Sequence, residues 1–167
     1  MYRPTDVLSE NFKLGEFMKS AMADELQLNL YKLLTPEHFL NLQRVADKLE
    51  EMRSILGCPI RINSGYRPAQ LNEAIGGSKT SAHIFGLAAD TFPSKVKGQH
   101  DLQNTFFEIA NHPTFMANVD QMIIERGCIH IGLCGLEKQP RKELRGESYE
   151  GNKRHRSSES GGRNGER

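Results

Sequence analysis

A chain of 167 residues holds one ordinary domain with a real core and is too short for two substantial ones. With 26% charged residues, 37% apolar residues and a formal net charge of +1, it carries no global field of the kind that gathers nucleic acid or a membrane surface, so no nucleic-acid partner is expected. Cys58, Cys128 and Cys134 are too few, and odd in number, for the disulfide framework of a small secreted domain, which points to synthesis in a reducing cytosol.

The first twenty residues lack a basic region followed by an apolar run, and no window approaches the roughly 18 apolar residues of a spanning helix. The chain is therefore expected to be made without a signal peptide, not to insert into a membrane, and to need a separate route if it works outside the cell. Leu14, Phe17, Met18, Met22 and Leu26 share one helical face and predict a first helix near 14–26. A longer helix opens at Thr35, a capping residue, followed by Pro36 at the first helical position. Its stripe of Leu42, Val45, Ala46, Leu49, Met52 and Leu56 runs to Gly57 and reads as packing surface.

After Gly57 the texture changes to short strand-like runs: Pro59 to Asn63, Leu87 to Phe92, then Gln121 to Glu125 and Cys128 to Leu133 flanking Arg126-Gly127 as a hairpin. Between them Asp101 to Ala110 has helical spacing. Helices and strands mix without a repeating βαβ unit, so the predicted class is α+β, with N-terminal helices packed on a small antiparallel sheet. From Glu137 onward the chain is almost wholly polar, which predicts a folded domain over 1–136 and a disordered tail over 137–167.

The informative chemistry lies in Ser81-Ala82-His83, Gly86, Asp90 and the later Ile129-His130-Ile131. Two imidazoles and a carboxylate suit Zn2+, and three protein ligands leave a fourth position for water, the arrangement of a catalytic site. Gly86 permits a close turn between His83 and the strand carrying Asp90, and His130 sits in an apolar run where an unpartnered imidazole is costly. Spacing alone leaves open that these are ordinary partly buried polar residues.

Ser64-Gly65-Tyr66-Arg67-Pro68, Leu71 to Ser78, Ser81-x-His83-x-x-Gly86-x-Ala88-x-Asp90 and Ile129-His130-Ile131 together resemble the M15 family of zinc D-alanyl-D-alanine carboxypeptidases, in its phage-type branch. The resemblance runs from about residue 9 to residue 133. It implies a single zinc site with His83, Asp90 and His130 as ligands. It also implies Arg67 as the residue that meets the substrate and stabilises the developing oxyanion, a role its fork of donors suits, and Ser81 as a substrate contact.

Relatives usually carry an acidic residue three positions before the final histidine, or a histidine two before it; here those places hold Gly127 and Cys128, and Ile129 replaces the usual tryptophan. If Arg126-Gly127 turns a hairpin, Glu125 lies opposite Cys128 and shares a face with His130, which makes Glu125 the candidate general base. Cys128 as a fourth ligand would close the site that hydrolysis needs. His38, His112 and His155 read as structural or solvated, while His100, which opens a helix after a lysine-rich loop, is a lesser candidate for the cleft lining.

The resemblance implies a monomeric zinc peptidase that hydrolyses a bond in the stem peptide of bacterial peptidoglycan, as carboxypeptidase or lytic endopeptidase. Such a protein would be made in a bacterial cytoplasm and reach the wall after release or with a virion. The alternative is a wall-binding or virion structural module that keeps the fold without catalysis.

Overall fold

The computed structural model describes residues 1–146. Its N-terminal part is a set of short helices: α1 (Leu14–Phe17), α2 (Ala21–Glu25) and α3 (Leu30–Leu33). The single helix expected over 14–26 is broken, because Ser20 is extended and its hydroxyl accepts from the Ala23 amide, starting a new helix. The Glu50 carboxylate ties the preceding segment to the next helix, accepting from Ser9 Oγ at 2.8 Å and the Asn11 amide at 2.6 Å.

Helix α4 (Pro36–Leu56) forms as its sequence signals require. Thr35 Oγ1 accepts from the His38 amide, His38 Nδ1 accepts in return from the Thr35 amide, and Gly57 closes the helix at φ +60. The stripe from Leu42 to Leu56 is buried in the core. Lys48, buried beside it, is neutralised by Glu51 at 2.6 Å and donates to the Phe115 carbonyl at 3.2 Å.

The remaining elements are β1 (Ile60–Ser64), α5 (Ala69–Ala74), a 3-10 turn (Ala82–Phe85), β2 (Ala88–Pro93), α6 (Gln99–Ala110), α7 (Pro113–Met116), β3 (Val119–Glu125), β4 (Cys128–Leu133) and β5 (Glu143–Arg145). They give one sheet in the order β1-β2-β4-β3-β5. Four strands are antiparallel, as expected; β5 is added parallel to β3 at the edge, so the sheet is mixed.

Strand β5 lies beyond the expected boundary at 136, so residues 137–146 belong with the fold. Their polar sequence hides this because few apolar groups are involved. Arg141 grips Asp120 through its own amide at 2.6 Å, Nη2 at 2.6 Å and Nε at 2.9 Å, and Leu144 is the residue of β5 that packs against the core. The rest of the expected tail, 147–167, lies outside the described residues, as does His155.

Alternation divides the sheet faces. Ala89, Thr91, Met122, Ile129 and Ile131 are fully buried on the face packed by α4 and α6. Asp90, His130 and Ile123 form one row on the other face, since Asp90 pairs with His130 and His130 with Ile123. No helix among the described residues is long and apolar enough to cross a membrane, and Cys58, Cys128 and Cys134 are free thiols.

Candidate metal centre

Antiparallel pairing of β2 with β4 sets Asp90 directly opposite His130. His83 arrives from the 3-10 turn, whose end at Gly86 has φ +67; a side chain there would press to 2.8 Å from the His38 carbonyl, so only glycine fits. The three donors converge. His130 Nδ1 is 2.8 Å from Asp90 Oδ1, His83 Nε2 is 3.2 Å from Asp90 Oδ1, and the two imidazole nitrogens are 3.3 Å apart.

These separations test the fit of a metal. Donors about 2.0–2.1 Å from a tetrahedral zinc lie about 3.3 Å from one another, close to the spacing seen, and the nitrogen and oxygen set is one that zinc accepts. The donor atoms of His83, Asp90 and His130 therefore fit Zn2+.

The surroundings prepare the ligands. His83 Nδ1 donates to the Gly65 carbonyl at 2.7 Å, which fixes the tautomer and leaves the Nε2 lone pair facing Asp90 and His130. The Arg67 amide donates back to the His83 carbonyl at 3.1 Å, so the Gly65 to Arg67 segment and the turn hold each other. Burial lowers the pKa of His83, keeping it neutral and able to ligate. Burial alone would raise that of Asp90, but the hydrogen bond with His130 opposes it, and the carboxyl is held well below the ordinary carboxylate range.

Gly65 reaches this position because it has no side chain. A Cβ there would sit 2.6 Å from Phe17 backbone and Cβ atoms, while the next amide, of Tyr66, donates to the Phe17 carbonyl at 2.9 Å.

The site opens into a cleft of about 460 Å3. Arg67 lines it, with Nη2 4.0 Å from Asp90 Oδ2 and a buried Nε that has no partner among the described residues. Burial lowers the Arg67 pKa, while the charges of Asp90 and Glu125 act in the opposite sense. Glu125 is thus close enough to act on Arg67 electrostatically and lines the same cleft. It pairs with Cys128 across the Arg126-Gly127 turn, whose φ values of +49 and +75 match the two-residue hairpin read from the sequence.

Ser81 also lines the cleft, on the loop between α5 and the 3-10 turn. Asn72 shapes that loop: its side-chain amide donates to the Ser78 carbonyl at 2.9 Å and packs on Gly77, where a Cβ would overlap it. Cys128 is outside the ligand triad and faces Asn63, whose Nδ2 is 2.8 Å from Sγ. His38 is the helix cap described above, and His100 faces Asn104 at 3.1 Å.

Sequence reasoning did not anticipate the Gly65 carbonyl as the partner of His83, nor Gln121, Arg126, Arg141, Glu143 and Arg145 as cleft residues. Only the alternation of Glu143, Leu144 and Arg145 hinted at β5, and three residues are too few to carry a strand assignment. Among known families, residues 11–131 match Peptidase M15. No curated protein matches the chain.

Proposed function

The chain belongs to the peptidase M15 family, and from that premise we propose that it is a zinc metallopeptidase that hydrolyses a peptide bond in the stem peptides of bacterial peptidoglycan. The observation that carries the reading is the convergence of His83, Asp90 and His130 donor atoms within 3.3 Å of one another, beside a partly buried arginine in an open cleft. When bound, the ion would supply Lewis acidity, polarising the scissile carbonyl and acidifying the attacking water.

The chain's own residues do the rest. The Arg67 guanidinium, which lines the cleft beside Asp90, holds the carbonyl oxygen as negative charge develops on it. Glu125 accepts the proton of the attacking water and returns it to the departing amine, as its charge near Arg67 and its position in the cleft support. Ser81 and its loop bind the peptide in the same cleft. His83 stays oriented through its bond to Gly65. A monomer made in a bacterial cytoplasm, acting on the wall after release or with a virion, is the setting this reading implies.

The test uses the zinc-loaded full chain with isolated bacterial cell wall and with a soluble stem pentapeptide. Free D-alanine is expected from a carboxypeptidase and new amino termini from an endopeptidase; tight binding without release of either would assign a wall-binding module instead. Zinc stoichiometry should be one per chain and collapse in His83→Ala, Asp90→Ala and His130→Ala. Full retention in any two of these would refute the ligand set.

A further inference from the structure

The cleft is rich in arginine. Arg67, Arg126, Arg141 and Arg145 line it against only two glutamates, Glu125 and Glu143. Asp90 and Asp120 stand beside two of these arginines, so the question is which guanidinium is left to meet a ligand. Two of the arginines already have tasks: Arg67 faces Asp90, and Arg141 is locked on Asp120.

Arg145 differs. Parallel pairing sets it beside Ile123, which itself pairs with His130, so Asp90, His130, Ile123 and Arg145 form one row across four strands on the cleft face. Leu144 between the two cleft residues of β5 turns to the core, as alternation requires. The Arg145 side chain is 53% exposed, and its Nε is held 2.9 Å from Glu143 Oε1. Glu143 is in turn occupied by Gln121 Nε2 at 2.7 Å and Arg141 Nη1 at 3.9 Å. The carboxylate therefore orients Arg145 without cancelling the cation.

Strands are about 4.8 Å apart, so Arg145 stands about 10 Å from His130 across the row. An extended peptide covers about 3.3–3.6 Å per residue, so this span corresponds to two or three residues. We propose that Arg145 is a specificity-determining residue that binds a carboxylate of the substrate two or three residues from the bond cleaved, and that the preferred substrates are acidic peptides. This deepens the peptidase reading and rests on it. The carboxylate comes from an acidic side chain or from the free C-terminus, since a guanidinium fork pairs with either.

The experiment uses blocked tetrapeptides alike except for glutamate or glutamine at each position in turn, and a second set with free or amidated C-termini. Binding to the zinc-loaded full chain is measured by calorimetry, and cleavage is followed beside it. Because Arg145 is half-exposed, the acidic member of the responsive pair should bind about two- to fivefold more tightly. Whichever set shows the difference identifies the source of the carboxylate.

Arg145→Ala should erase that difference, Arg145→Glu should invert it, and Arg145→Lys should restore part of it. If Arg145 only secures β5 through Glu143, both members of a pair would weaken equally, and the proposal falls; equal affinities in the unsubstituted protein would overturn it as well. Binding preference without cleavage of any peptide would refute the peptidase reading while supporting the subsite. Far-UV circular dichroism of each variant identifies one that fails to fold, in which case Arg145→Glu and Arg145→Lys decide.

Discussion

Gly65→Ala probes how packing far from the reacting atoms sets the metal site. The added Cβ would lie 2.6 Å from Phe17 Cα, Cβ and O, whereas carbon atoms settle about 3.5–4.0 Å apart. Relief requires a displacement of about 1 Å, and no side-chain rotation supplies it, because two of the three obstructing atoms are backbone. The segment that must move carries the carbonyl that receives His83 Nδ1 at 2.7 Å and the amide of Arg67.

Overpacking of this kind costs about 1–3 kcal/mol, which lowers the melting temperature of the metal-free protein by about 3–10 °C. Disturbing the partner of a ligating histidine weakens metal binding about 10–100-fold. Chelator competition measures the zinc dissociation constant, and thermal unfolding without metal measures the first effect. Gly57→Ala is the control: it meets no atom within 4 Å, strains only a left-handed backbone, and belongs to the end of α4 rather than the cleft. It should lose stability with unchanged zinc affinity. If Gly65→Ala kept both properties, or lost zinc no more than the control, the coupling argued from Phe17 through Gly65 to His83 would be wrong.

Glu125→Gln should retain one zinc but turn over about a hundredfold more slowly, as removal of a general base requires; unchanged turnover in steady-state assays would move that role to another group. Cys128→Ala should keep both zinc and activity, since the thiol faces Asn63 outside the triad. In the metal-free protein, burial lowers the His83 pKa, so the unfolded chain binds the extra proton; stability should fall as pH drops below about 6.5, measured by urea midpoints in chelator. His83→Gln should flatten that slope. Arg141→Ala strips two side-chain hydrogen bonds from the buried Asp120, leaving the one from the residue's own amide, and should cost about 1.5–3 kcal/mol in urea unfolding. Burial raises the Asp120 pKa, but Arg141 hydrogen bonds outweigh it and lower it overall, so the pair's contribution is present above about pH 4 and lost as pH falls through the depressed value; the variant, which keeps only the backbone bond, should show a weaker acid dependence.

What the sequence determined by itself was local or periodic. The cap at Thr35, the stripe from Leu42 to Leu56 and the stop at Gly57 are nearest-neighbour physics, and α4 follows them. The Arg126-Gly127 turn sets the register of its hairpin, and with it the shared face of Glu125, Cys128 and His130, because side chains alternate with a period of two. The approach of His83 to the strand of Asp90 follows in part for the same reason: glycine at 86 and the short turn before it are written in adjacent residues.

Tertiary structure alone decided what depends on distant segments meeting. Nothing near Gly65 in sequence says that Phe17 will press on it or that His83 will donate to its carbonyl. The break at Ser20 was open to either reading, since a serine within a helical pattern caps a new helix only where packing favours the bend. Residues 137–146 read as polar tail because strand β5 is held by Arg141 on Asp120 and by an existing sheet edge, not by apolar surface of its own. A segment whose stability comes from its partners leaves no hydrophobic period to read, and so the arginine wall of the cleft emerged only when the chain was folded.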